Sequence, residues 1–261
     1  MDEAIYRLDD VGASTKLYNQ RGKVWWRVSG IDLPIAPFAN LLFFKRIPPF
    51  KLWGPYSELT SRQWEEILNI LKKHQAKITV GVTACWAESK DKLIPFGKKF
   101  PKQTAILKAG QDEGLLEIAN HGLTHCLLKD NKFLPHLFSS NRKYHREFYD
   151  WLPDEYHKEH IEKSQEILSM IFKRDIVTFI PPGNVWSGKT EYYAHRAGIK
   201  YLSSLEEKAP TGKVSNGLVY VGDRKVFDFH DRDIVLKGVG WLENKIKNEK
   251  NHFIFIKEYL D

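Results

Sequence analysis

The 261 residues, 42% hydrophobic and 28% charged, suit one soluble globular domain with a large core, and no apolar run is long enough to cross a bilayer. The start, Met1-Asp2-Glu3-Ala4, lacks the basic and apolar regions of a secretory signal, so a cytoplasmic protein without stable membrane insertion is expected; Cys85 and Cys126, lacking paired spacing, exclude a zinc ribbon or redox motif. The net charge of +7 comes from 40 Lys and Arg scattered among 33 acidic residues, with no basic stripe interleaved with aromatics, which predicts a solvated basic surface and no nucleic-acid partner.

In chain order, the apolar, β-branched run Ala4 to Leu8 reads as a buried strand. A segment from about Asn19 to Glu58 follows, rich in Pro and aromatics, whose Trp25, Trp26, Trp53 and Tyr56 would either line a sugar cleft or pack the segment onto the core. Thr60 and Gln63 form a capping-box pattern ahead of Trp64, Ile67, Leu68 and Leu71, which recur at helical spacing. Ile78 to Thr83 and Leu115 to Ala119 read as strands. A helix is predicted from about Pro153 to Phe172, carrying Ile161, Leu168 and Phe172 on one stripe. The strand Ile176 to Ile180, a helix from about Gly188 to Ala197, and the strands Lys200 to Ser203, Val226 to Phe229 and Phe253 to Ile256 complete the series. Strands alternating with helices predict an α/β fold with a mostly parallel sheet, closed as a barrel or open and doubly wound, and both topologies place function beyond strand C-termini. No repeat or linker divides residues 1–261, so a single domain is expected.

Four polar clusters follow four of these strands: Asp9-Asp10, His121 to His125, Pro181-Pro182-Gly183-Asn184, and His230-Asp231. His121 and His125, four apart, would either project from one face of a helical turn toward one metal ion or cap and hydrogen-bond within a loop. Gly122 stands where a zincin carries its catalytic Glu, which argues against that class. A catalytic metal site wants a third protein ligand, and one aspartate of the adjacent pair can supply it while the other accepts a proton from water. His230 is placed to protonate a departing amine, or to bond a carbonyl at a strand end. His157 and His160 on an amphipathic helix, and His74 at the end of another, are expected at the surface.

The order of motifs resembles the polysaccharide deacetylase family, of the NodB-homology, carbohydrate esterase family 4 type. "RLDDVG" is similar to its TFDDG motif, "EIANHGLTH" to its His-x3-His motif, "FIPPGN" to FRPPYG, and "FDFH" to the strand ending in the catalytic histidine, across residues 7 to 231. The resemblance implies a distorted (β/α) barrel, with Asp10, His121 and His125 as ligands of a divalent ion, zinc or similar. It further implies Asp9 as general base, His230 as general acid, and a backbone N–H near Gly183 and Asn184 supporting the oxyanion; Trp186 and Trp53 are candidate sugar contacts. The implied substrate is an N-acetylated saccharide or sugar-linked precursor of a surface polysaccharide such as O-antigen. Alternatives are a sugar-binding relative without turnover and a metal-dependent amidase or phosphoesterase. Oligomeric state is not legible. Three positions depart from the family pattern: Val11 for glycine, Gly183 for tyrosine and Ile180 for arginine. The last leaves Asp9 without its usual cation, and Arg7, on the same side of the strand at i−2, is the expected substitute, with Asp228 as its competing partner.

Overall fold

The computed structural model describes residues 3–19, 21–23, 25–34, 47, 50–136 and 141–259, and the Trp26 side chain is outside that description, as are 35–46 of the aromatic segment. A nine-stranded sheet forms the centre. Its strands are β1 (Glu3–Val11), β2 (Ile78–Val82), β3 (Leu116–Asn120), β4 (Thr178–Phe179), β5 (Tyr201–Ser204), β6 (Val214–Ser215), β7 (Leu218–Gly222), β8 (Val226–His230) and β9 (His252–Ile254). The order is β6-β7-β5-β4-β3-β2-β1-β8, with β9 also on β1, and every pair except β6/β7 is parallel. Ile5 is in register with Val226 on one side and Ile254 on the other, so β8 and β9 flank β1.

The sheet curls into a distorted (β/α) barrel. Tyr201 and Val221, from one end of the strand order, pack in one apolar cluster with Ile5, Val226 and Ile254 from the other. Arg7 Nη1 donates to Ser203 Oγ at 3.0 Å, a contact across the interior between strands that are not neighbours in the sheet. Burial on both faces explains why β1, β2 and β3 read as near-continuous apolar runs.

Outside the strands lie α1 (Ser61–His74), α2 (Pro101–Asp112), α3 (Asp154–Phe172), α4 (Gly188–Arg196), α5 (Asp231–Lys237) and α6 (Val239–Lys247). The α1 stripe Trp64, Ile67, Leu68 and Leu71 is buried against the strands. Its capping box is formed: the Gln63 N–H donates to Thr60 Oγ1 at 3.2 Å and the Thr60 N–H to Gln63 Oε1 at 2.9 Å. Gly110 inside α2 marks a close approach, since a Cβ there would meet Leu68 Cδ2 at 2.7 Å. None of the described helices is long and apolar enough to cross a membrane. Cys85 and Cys126 are free and buried.

Two expectations are corrected. His157 and His160 are core residues: their face of α3 turns toward the barrel, where His157 Nδ1 meets Thr190 Oγ1 at 2.9 Å and His160 Nδ1 meets Glu147 Oε1 at 2.5 Å. Residues 121–127 are an irregular loop rather than a helical turn, with Gly122 at φ 80° and His125 at φ 59°.

Thr60→Ala removes the N-cap acceptor and is expected to cost about 1 kcal/mol, lowering the melting temperature by about 2–4 °C. Thermal unfolding followed by circular dichroism checks this, and an unchanged transition would contradict it.

Candidate metal and catalytic centre

The end of β1 explains how two adjacent aspartates serve one site. Side chains alternate along a strand, so Asp9 and Asp10 should face opposite ways. Pairing with β2 slips between Leu8 and Val11, and Asp10 adopts φ 71°; this bulge turns both carboxylates into the same cleft. The glycine expected directly after the pair is found one residue later. Val11 is fully buried, while Gly12 takes φ 79° and leaves no room for a Cβ, which would lie 2.7 Å from Phe96.

Asp10, His121 and His125 converge, offering one ligand atom each within 4.8 Å of one another. His121 Nδ1 donates to the Ile180 carbonyl at 2.7 Å, which fixes the ring and leaves Nε2 as the site-facing lone pair, 3.4 Å from Asp10 Oδ1. His125 is buried, and neither of its ring nitrogens has a hydrogen-bond partner among the described residues. Its Nε2 is 3.0 Å from Asp10 Oδ1 without hydrogen-bond alignment. Two imidazoles and a carboxylate around an unsatisfied buried nitrogen fit a borderline divalent cation. Burial pushes the Asp10 carboxyl up, but the charge of His230 and the two histidines outweigh it and hold the group well below the usual carboxylate range.

Asp9 is held by a fork of hydrogen bonds from Arg7: Nε lies 3.0 Å from Oδ1 and Nη2 lies 2.8 Å from Oδ2. Asp228, in register with Arg7 on β8, is a more distant partner at 3.7 Å. The same ladder sets His230 opposite Asp9. Gly183 and Asn184 follow β4 at φ 61° and 55° on the cleft wall, with Asn184 N–H bonded to the Pro181 carbonyl.

The cleft has a volume of about 560 Å³ and lies at the C-terminal ends of the strands. Trp53 and Trp186 are not among its lining residues. Trp186 donates its indole N–H to Glu191 at 2.8 Å and packs on Tyr220, and Trp53 lies under the Arg232 guanidinium. Of the other rings of the aromatic segment, Trp25 is exposed on a hairpin and Tyr56 is buried. The ring that does line the cleft is Tyr149, stacked on exposed Trp151 with centroids 5.6 Å apart.

Glu147, Lys16 and Glu58, which the sequence did not single out, shape the centre. The buried Glu147 carboxylate accepts the N–H of Leu123 at 3.0 Å and of His125 at 2.9 Å, a longer bond from Thr124, and the contact from His160, so it moulds the loop that carries the histidines. Lys16, fully buried, bridges Glu58 at 2.5 Å and Asp231, tying the chain after β1 to the residue following His230. Burial lowers the Lys16 pKa, but the two carboxylates more than offset it and keep the ammonium charged. Burial pushes Asp231 up, opposed by Lys16 and reinforced by Glu58 and Asp10.

Glu147→Gln keeps the side-chain shape but weakens the acceptor beneath the loop. Affinity for a divalent ion is expected to fall about 10–100-fold. Equilibrium dialysis, with circular dichroism to establish that the fold is retained, measures this; an unchanged affinity would count against a loop held by Glu147.

A family model described as polysaccharide deacetylase matches residues 53–202, more than half of the chain. The matched span includes His121, His125 and the Pro181–Gly183 turn, whereas Asp9, Asp10 and His230 lie outside it. No curated protein matches by sequence. Among solved structures, the 4-alpha-glucanotransferase from Thermococcus litoralis aligns at TM-score 0.51 and 16% identity over 77% of this chain and 36% of that one. A carbohydrate esterase family 4 pseudoenzyme from Bacillus anthracis aligns at TM-score 0.48 and 16% identity, over 78% of this chain and 63% of its own length. A family 4 acetyl xylan esterase from Clostridium thermocellum aligns at TM-score 0.47 and 14% identity, over 77% of this chain and 85% of its own. The chain thus spans less than two thirds of the first two of these structures. The family match carries the assignment: this chain belongs to the polysaccharide deacetylase family, as a divergent member.

Proposed function

We propose that this protein is a metal-dependent hydrolase that removes the acetyl group from an N-acetylated sugar. The observation that carries this reading is the meeting, in one cleft, of the Asp10, His121 and His125 donor set with an arginine-held carboxylate and a histidine on adjacent strands. Asp10, His121 and His125 would hold a divalent ion, zinc or a similar cation, which when bound would supply Lewis-acid polarisation of the acyl carbonyl and lower the pKa of water.

The protein's own groups supply the proton transfers. Asp9 accepts the proton of the attacking water, and Arg7 aims this carboxylate through its two-pronged hydrogen bond, taking the part of the arginine replaced by Ile180. His230, partly exposed at the cleft, delivers a proton to the departing nitrogen. The Asn184 N–H is already engaged, which leaves the Gly183 N–H as the backbone donor for the developing oxyanion. Tyr149, backed by the stacked Trp151, offers the sugar ring an aromatic surface in the cleft. A cytoplasmic precursor of a surface polysaccharide such as O-antigen is the substrate setting we assign.

Acetate release from N-acetylated sugars by the metal-loaded protein tests the reading; release only from phosphate esters or simple amides would favour the alternative hydrolases, and sugar binding without turnover would favour a non-catalytic relative. Asp9→Asn is expected to retain the ion and lose about 10²–10⁴-fold in turnover, whereas His125→Ala loses both. Equal loss of the ion in the two variants would contradict the division of roles. Arg7→Met should depress turnover while leaving ion affinity unchanged, because the fork that aims Asp9 is lost; turnover like that of the parent would remove Arg7 from the base.

A further inference from the structure

The basic residues are not all scattered over the solvated surface. Arg142, Lys143, Arg146 and Arg232 line the cleft that contains Asp9 and Asp10. No ion pair links any of these cations to a carboxylate among the described residues. The two cleft aspartates are already engaged, Asp9 by Arg7 and Asp10 by the histidines.

Two of the arginines are held in place by packing. The Arg232 guanidinium lies 4.5 Å over the Trp53 ring, an arrangement that leaves its in-plane N–H groups for an acceptor. The Arg146 stem occupies the space above Gly183, where a Cβ would come within 2.7 Å of Arg146 Cγ. The departure from the family tyrosine at position 183 therefore makes room for a cation. Partial desolvation, and after it the charges of Arg21, Arg146 and Arg232, lower the Arg142 pKa. Like charges gathered at a cleft wall and left unpaired lower the energy of an anion bound between them. Planar guanidinium forks match phosphate oxygens.

We propose that the substrate carries a phosphate or diphosphate beside its acylated amino sugar, bound by Arg142, Arg146 and Arg232 while the acyl group lies at Asp9 and the metal donor set. The position of the acyl group rests on the deacetylase reading; anion binding by the arginines does not. A nucleotide sugar and a lipid-phosphate-linked sugar present the same chemistry.

Calorimetric titration of inorganic pyrophosphate into the protein, with the divalent ion removed so that it offers no competing anion site, tests the arginine wall. The expected result is binding that weakens with salt, and that falls about tenfold or more in the Arg142→Gln/Arg146→Gln double variant. Arg142→Lys should retain part of the affinity, and Lys92→Gln, at an exposed site remote from the cleft, all of it. Equal binding by the parent and the double variant would overturn the proposal. With the metal-loaded protein, kcat/KM for acetate release from N-acetylglucosamine 1-phosphate should exceed that from N-acetylglucosamine by about tenfold, and the double variant should erase the preference. UDP-N-acetylglucosamine and a short prenyl-diphosphate-linked N-acetylglucosamine then separate the two carriers. No preference for any phosphorylated sugar over the neutral one would also overturn it. Pyrophosphate binding that depends on the arginines, with acetate released from no sugar, would remove the deacetylase reading and leave the anion site standing.

Discussion

A buried carboxylate, Glu147, organises the loop on which the metal donor set depends. A lone carboxylate in the interior costs several kcal/mol, and here the cost is offset by backbone N–H groups of residues 123–125 and by His160 from α3. Satisfying the carboxylate forces the loop to wrap around it. That wrapping sets His125 at positive φ and excludes any side chain at position 122, where a Cβ would fall 2.3 Å from Glu147 Oε2. The histidines thus approach Asp10 from a rigid turn rather than from a helix face. His121 is fixed separately, through the carbonyl of the residue that departs from the family arginine.

A second buried charge group clamps the other side of the cleft. Lys16 joins Glu58, which precedes α1, to Asp231, which opens α5 immediately after His230. Glu58 also accepts the Gly12 N–H at 2.8 Å, just beyond the aspartate pair. The bulge that aims Asp9 and Asp10 and the strand end that carries His230 are therefore tied through one ammonium. Such a group confers little net stability over an apolar replacement, but removing one partner leaves a buried charge unpaired. Its value here is positional.

Much of this was legible in the sequence, for identifiable reasons. Strands buried on both faces leave continuous apolar runs, and polar clusters directly after such runs mark the functional end of a barrel, which is how Asp9, Asp10, His121, His125 and His230 stood out. Period-2 alternation permits the contact of Arg7 with Asp9, and the assembled strands decide it over Asp228. What stayed hidden depends on tertiary assembly. Glu147 lies in an irregular stretch with no periodic signal, and nothing local marks Lys16 as buried. His157 and His160 sit on a polar-looking face of α3 that turns inward to meet Glu147 and Thr190. Arg142 and Arg146 meet Arg232 only because the chain after β8 returns to the same cleft. α2 is not legible in the sequence because its buried face carries Thr104, Leu107 and Gly110, too small an apolar stripe to show helical periodicity.

The chemistry of the cleft turns on Asp10, His121 and His125 holding one divalent ion. Titrating Co2+ into the protein and recording its visible absorption measures this most directly, because bands of a low-coordinate nitrogen–oxygen site report the ligands themselves. The account predicts bands that saturate at one equivalent per chain and vanish when Asp10 or His121 is replaced by alanine. Absorption that does not saturate, or that persists at full intensity in both variants, would contradict it.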